Sequence, residues 1–163
     1  MYRLEKVIFI ENLDDVKNMC SGCRLCELIC AFEHFKVGNA KKSKIKIVEF
    51  DDGTRIPVVC QHCADAPCIK ACPTGALSRK DKESPVMVDE GRCIGCSTCV
   101  NVCPVGAITV DKRIGVSQKC DLCNGDPQCV KYCPAKVLKF GTDQQLSNTK
   151  KKRYARAIKE NQE

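Results

Sequence analysis

Residues 93–104 read CIGCSTCVNVCP, and residues 20–30 read CSGCRLCELIC with the same cysteine spacing, C-x2-C-x2-C-x3-C. Two further stretches, CQHCADAPCIKACP at 60–73 and CDLCNGDPQCVKYCP at 120–134, widen the middle gap to four and five residues. These four groups hold all 16 cysteines of the 163-residue chain. Cysteine at about a tenth of a short chain marks a cysteine-built scaffold. The 44% hydrophobic content includes those cysteines, and without Trp and with three Tyr and five Phe little remains for an ordinary core. Something besides side-chain packing must organise the fold.

The spacing says what. Three thiolates within seven residues can wrap one compact iron–sulfur cube from a single turning loop. The fourth, past a helical turn, reaches a neighbouring cube, as in two-cluster bacterial ferredoxins. Pro73, Pro104 and Pro134 follow the last cysteine of three groups; lacking an N–H, each turns the chain away from the helix. Gly22 and Gly95 sit in the first C-x-x-C turn of the tight groups, either to let backbone amides approach a cluster or as ordinary turn glycines. Zinc is the competing metal, but structural zinc draws two ligands from each of two separated knuckles. A disulfide framework would need an oxidising compartment. The N-terminus has no signal-peptide pattern and the longest apolar run, Leu28–Phe32, is five residues, so a cytoplasmic chain without a membrane span is expected.

The groups alternate tight, loose, tight, loose, as in a duplicated pair. TGALS, VGAIT and AKVLKF follow the three prolines, and each reads as a turn into a short strand. Strand-like segments precede the groups at Lys6–Ile10, Arg55–Val59, Pro85–Val88 and Ile114–Ser117. Lys44–Val48 adds another, with Asp52-Gly53 as a hairpin turn. The expected class is α+β: small sheets and one-turn helices around clusters. Lys150, Lys151, Lys152 and Arg153 begin a basic tail whose helix would put Tyr154 and Ile158 on one face.

A formal charge of +7 suggests an anionic partner. Four cubes with their thiolates, at about −2 each, bring the sum to about −1, so the basic excess reads as compensation for cluster charge. No helix-turn-helix or aromatic platform supports nucleic-acid binding. His62 lies between Cys60 and Cys63; with all sixteen cysteines present it is expected to contact a cluster, not ligate iron. His34 reads as a packed or interface histidine. No catalytic triad, paired carboxylates, P-loop or GxGxxG appears, so an electron carrier without its own substrate site is expected.

The four groups, their Cys-Pro endings, and the stretches CSGCRLCELICAFEH, QHCADAPCIKACPTGAL and CDLCNGDPQCVKYCP resemble electron-transfer subunits of the dimethyl sulfoxide reductase and formate dehydrogenase β-subunit family. The likeness runs over residues 3–142. It is nearest a compact branch accompanying tungsten aldehyde oxidoreductase or carbon monoxide dehydrogenase. The resemblance implies two interleaved ferredoxin-like units with four [4Fe–4S] clusters: residues 1–50 plus 112–146 as the outer unit, 51–111 as the inner, and 147–163 as the tail. It also implies the ligand sets. Cys20, Cys23, Cys26 and Cys133 hold one cluster, and Cys120, Cys123, Cys129 and Cys30 the second. Cys60, Cys63, Cys68 and Cys103 hold the third, and Cys93, Cys96, Cys99 and Cys72 the fourth. Spacing alone also allows sequential exchange, group one with two and three with four. Three departures from the family stand out: Ala31 follows Cys30 where Pro is frequent, group four has a shorter gap than the large respiratory subunits, and no C-terminal membrane anchor follows; from the last two a soluble complex is expected and not a quinone-linked membrane enzyme.

The expected function is single-electron conduction between a catalytic subunit, a tungsten or molybdenum oxidoreductase, and a second redox subunit or soluble ferredoxin. The alternatives are a polyferredoxin linking carbon monoxide dehydrogenase or formate dehydrogenase to a hydrogenase, and a structural zinc module. Self-association is left open.

Overall fold

In the computed structural model the described residues are 6–10, 20–142, and positions 144, 145, 147, 148, 151, 155 and 158. The tail expectation, with Tyr154, falls largely outside them. Among the described residues eight short strands form four separate two-stranded antiparallel ladders. They are β1 (Lys6–Ile10), β2 (Lys46–Glu49), β3 (Arg55–Val58), β4 (Leu77–Ser78), β5 (Met87–Val88), β6 (Thr109–Asp111), β7 (Val116–Gln118) and β8 (Leu138–Thr142). β1 pairs with β8, joining Ile8 to Phe140 from opposite ends of the chain. The others are local: β2 with β3, β4 with β5, β6 with β7. The segments expected before and after each group form these strands, with limits moved by one to a few residues. Asp52-Gly53 closes the β2–β3 hairpin, where the Asp52 carboxylate accepts from the Thr54 amide at 2.8 Å. The β2–β3 and β6–β7 hairpins fall at the two limits between the expected units.

Each third cysteine of a group opens a helix. α1 (Leu25–Phe35), α2 (Pro67–Lys70), α3 (Thr98–Asn101) and α4 (Gln128–Lys131) each carry one near their start. α2, α3 and α4 are single turns, as expected, and end where the coming Cys-Pro forbids helical backbone at the cysteine. α1 corrects the one-turn expectation for group one: it runs eleven residues. Ala31 supplies the N–H that proline lacks, so the helix continues to Lys36, whose left-handed φ of 53° closes it with an N–H donated to the Phe32 carbonyl. Its buried side is Cys26, Glu27, Cys30 and Ala31.

The backbone repeats where side chains differ. The second residue after the first cysteine of every group has a positive φ: Gly22 66°, His62 45°, Gly95 66°, Leu122 62°. In the tight groups glycine also clears a close approach, to backbone at Gly95 and to a movable side chain at Gly22. A Cβ on Gly95 would lie 2.5 Å from the Gly115 carbonyl oxygen, and one on Gly22 would strike the Arg55 side chain. Burial divides in two. Val7, Ile8, Ile45 and Leu138 enclose Cys26, Cys30, Cys60, Cys120 and Cys129. Leu77, Val86 and Ile108 enclose Cys68 and Cys99, and Cys103 packs against both groups. α1 packs on α4 and α2 on α3. Among the described residues no helix is long and apolar enough to cross a membrane.

Candidate metal centres

No cysteine is in a disulfide, and the fold gathers them across the groups. One cavity is lined by Cys20, Cys23, Cys26 and, from group four, Cys133, under Ile47, Pro57 and Leu138. A second is lined by Cys120, Cys123, Cys129 and Cys30, with Ile8, Ile45 and Val59. A third brings Cys60, Cys63 and Cys68 together with Cys103. Around the remaining four, Ser117 Oγ lies 3.2 Å from the Cys99 sulfur and 3.7 Å from that of Cys93, and Cys96 and Cys72 are close enough to repel as thiolates. Cavities walled by aliphatic side chains and four soft sulfurs suit a thiolate-bound iron–sulfur cube.

Neighbouring sets lie within electrostatic reach of one another. Cys129 senses Cys26, and Cys120 senses Cys60. Cys68 of the third set and Cys99 of the fourth share one buried hydrophobic cluster, so the sets follow one another as first, second, third and fourth, and the two exposed cysteines, Cys23 and Cys96, belong to the outermost sets.

Burial governs the acid–base state of the thiols. It pushes Cys26 up to about 12, helped by the Glu27 carboxylate. It pushes Cys129 up to about 12, helped by Cys30. Cys30 goes down instead: burial opposes ionisation, but hydrogen bonds from His34 and the Lys44 amide overcome it. Such buried thiols become ligands only by losing protons to an incoming metal.

The polar surroundings of the four sets differ. At the fourth, the Thr98 hydroxyl lies 3.3 Å from the Cys96 sulfur and the Thr74 hydroxyl 3.6 Å from that of Cys72. At the second, His34 bridges Cys30 and Asp121. Its Nδ1 lies 2.8 Å from the Cys30 carbonyl and its Nε2 2.9 Å from Asp121 Oδ1. Lys44 donates to the other Asp121 oxygen at 2.9 Å. Asp121 and the Cys30 sulfur raise the His34 pKa to about 10. Against the cost of its burial, His34 and Lys44 hold Asp121 well below the usual carboxylate range. His34 is thus more than the packed residue expected: it is an ion-pair member beside a cluster site. At the third set, the His62 amide donates to the Cys60 sulfur at 3.4 Å. Its ring is buried and neither nitrogen has a hydrogen-bond partner among the described residues. The contact expected of His62 comes from its backbone. Burial, with Lys119 nearby, drops its pKa to about 3, so the ring is neutral. Sequence reading missed Lys119 and Asp121 altogether. Both flank Cys120 and carry no periodic signal.

Residues 52–143 match the family described as a 4Fe-4S dicluster domain, and residues 17–33 match a 4Fe-4S binding domain. The chain belongs to the 4Fe-4S dicluster domain family: it is a ferredoxin-like protein of electron transport that binds [4Fe–4S] clusters. It is 43% identical over 114 residues to the aliphatic sulfonate oxidoreductase, polyferredoxin-like subunit, of Pyrococcus furiosus, covering 70% of this chain and 66% of that one. An iron-sulfur protein of Rhodospirillum rubrum is 38% identical, with 83% of this chain and 82% of its own covered. The thiosulfate reductase electron transfer subunit PhsB of Salmonella typhi is 35% identical, with 75% and 70% covered. Some relatives are much longer, and the chain spans 23% of the putative oxidoreductase AegA of Escherichia coli.

Proposed function

We propose that the chain is the electron-transfer subunit of an oxidoreductase complex and conducts single electrons through four [4Fe–4S] clusters. The sixteen cysteines are the ligands, in the four sets named above, with two interleaved ferredoxin-like units built around them. One observation carries this reading: four contiguous sets of four thiols, with exposed sulfurs only in the two outermost. Exposed ends serve exchange with partners, and the middle sets, whose cysteines are buried or partly buried, are more screened from solvent. When bound, the clusters supply one-electron chemistry, while the residues described here set spacing, dielectric and local charge. Potentials of such clusters span about −700 to +450 mV, so these surroundings decide the order of filling. Sixteen cysteines held as iron ligands, with no disulfide among them, fit a reducing, cytoplasmic setting.

The partner on this reading is a catalytic subunit of the tungsten aldehyde oxidoreductase type. The sequence resemblance supports that choice; a relative named as a polyferredoxin-like subunit of an aliphatic sulfonate oxidoreductase supports the coarser one, an oxidoreductase partner. A second redox subunit or a soluble ferredoxin completes the path. The test is anaerobic affinity purification of the tagged chain from its host, with identification and metal analysis of the co-purifying large subunit. A tungsten-containing aldehyde-oxidising subunit is the expected result. Carbon monoxide dehydrogenase or a hydrogenase in its place would overturn the partner, and zinc in place of iron would overturn the function.

A further inference from the structure

Lys119 follows β7 and immediately precedes Cys120. It is 4% exposed, the one lysine that the fold buries among the described residues. Its ammonium donates to the Cys60 sulfur at 3.1 Å and to the Cys120 carbonyl at 3.4 Å. It lines the cavity of Cys60, Cys63, Cys68 and Cys103 while its backbone leads into the second set. Among the described residues no carboxylate forms an ion pair with it. A buried cation without a counter-ion is unfavourable unless negative charge lies against it, and the charge nearest this one is a cluster-ligand sulfur. Arg79 adds a second cation at this set, donating to the Cys63 carbonyl at 2.7 Å.

We propose that Lys119 sets the potential of the cluster held by Cys60, Cys63, Cys68 and Cys103, making the middle of the path a place where an electron rests. The proposal rests on the four-cluster reading above. A positive charge beside a ligand sulfur stabilises the more negative, reduced form of the cluster over the oxidised form. On transfer, the neighbouring cluster core would be oxidised from 1+ to 2+, while this one would be reduced from 2+ to 1+ by the same electron. No bond forms or breaks and no proton moves. Lys119 is a positioning residue for charge; it does not ligate iron.

The experiment compares anaerobically prepared wild type, Lys119→Met, Lys119→Gln and Lys119→Arg by iron and sulfide content and by redox titration with dithionite followed by electron paramagnetic resonance. Both neutral variants are expected to keep full iron and to lower one midpoint potential of the four. At the wild-type midpoint the reduced fraction relative to oxidised should fall about tenfold, equivalent to about 59 mV for one electron. Glutamine keeps a donor near Cys60 without the charge, and arginine should restore most of the shift. Four full clusters with unmoved potentials would overturn the proposal. Loss of iron from that site in both neutral variants, not restored by arginine, would overturn it in favour of a structural role. Wild type with fewer than four clusters would instead break the underlying reading.

Discussion

His34 Nε2 sits 2.9 Å from Asp121 Oδ1, joining side chains 87 residues apart in the chain. This pair fastens the last turn of α1 to group four, and Lys44 locks it from the other side at 2.9 Å. Two of the three side chains are 13% exposed and the carboxylate 17%, so solvent screens them little.

The pair makes stability depend on pH. The folded-state pKa of His34 is raised from 6.5 to about 10. Its contribution is therefore full below about pH 6.5 and is lost as pH rises through about 10. The cluster-loaded protein should lose thermal stability between pH 7 and 10, and Asp121→Asn should flatten that slope. A slope equally steep in the variant would show that the pair does not cause it.

Ala31→Pro tests why α1 is long. Proline would remove a helix hydrogen bond and clash with the preceding turn, costing about 3 kcal/mol or more. Ala31 is fully buried, so the turn carrying His34 should detach while Cys30 keeps its place. The expected signature is loss of the alkaline stability slope together with a lower thermal midpoint. A variant with wild-type stability would contradict the packing described for α1.

Gly95→Ala combines a left-handed backbone with a Cβ 2.5 Å from the Gly115 oxygen. The conformation alone costs roughly 1–2 kcal/mol, and the β6–β7 turn must shift to clear the contact. Ser117 moves with that turn, so spectroscopic change should centre on the set of Cys93, Cys96 and Cys99. Uniform change across all clusters would point to general unfolding.

Cys133→Ser separates the two pairing schemes. With group four's last cysteine serving group one, the iron content should fall by about four of about sixteen atoms. The missing signal should match that lost in Cys23→Ser. If it matches the signal lost in Cys96→Ser, sequential exchange is correct.

Cluster insertion should release protons. Cys26 and Cys129 hold theirs to about pH 12, and a thiol must ionise to bind iron. Reconstitution in weak buffer should acidify the solution, and the apparent affinity should drop about tenfold per pH unit for each proton released. Pre-ionised sites would give no acidification.

The metal centres were the legible part of this molecule. Cysteine spacing is a local signal, and so are Asp52-Gly53 and the alternation that places Lys6–Ile10 in a strand. α1 was legible only in hindsight, through the missing proline after Cys30. His62 and Leu122 hide a left-handed position that Gly22 and Gly95 advertise, and aligning the four groups on their first cysteine exposes it. Lys119 and Cys60 meet across 59 residues, as His34 and Asp121 do across 87. Such contacts depend on how the groups nest in space, and no window of sequence contains both members.

The placement of Cys23 and Cys96 has a consequence for wear. Peroxide or dioxygen arriving from solvent meets these two sulfurs before any in the interior. Damage would begin at the terminals, so an aged molecule would be cut off from its neighbours while still holding intact iron within. Such a molecule would fail as a blown fuse does, disconnected at its ends first.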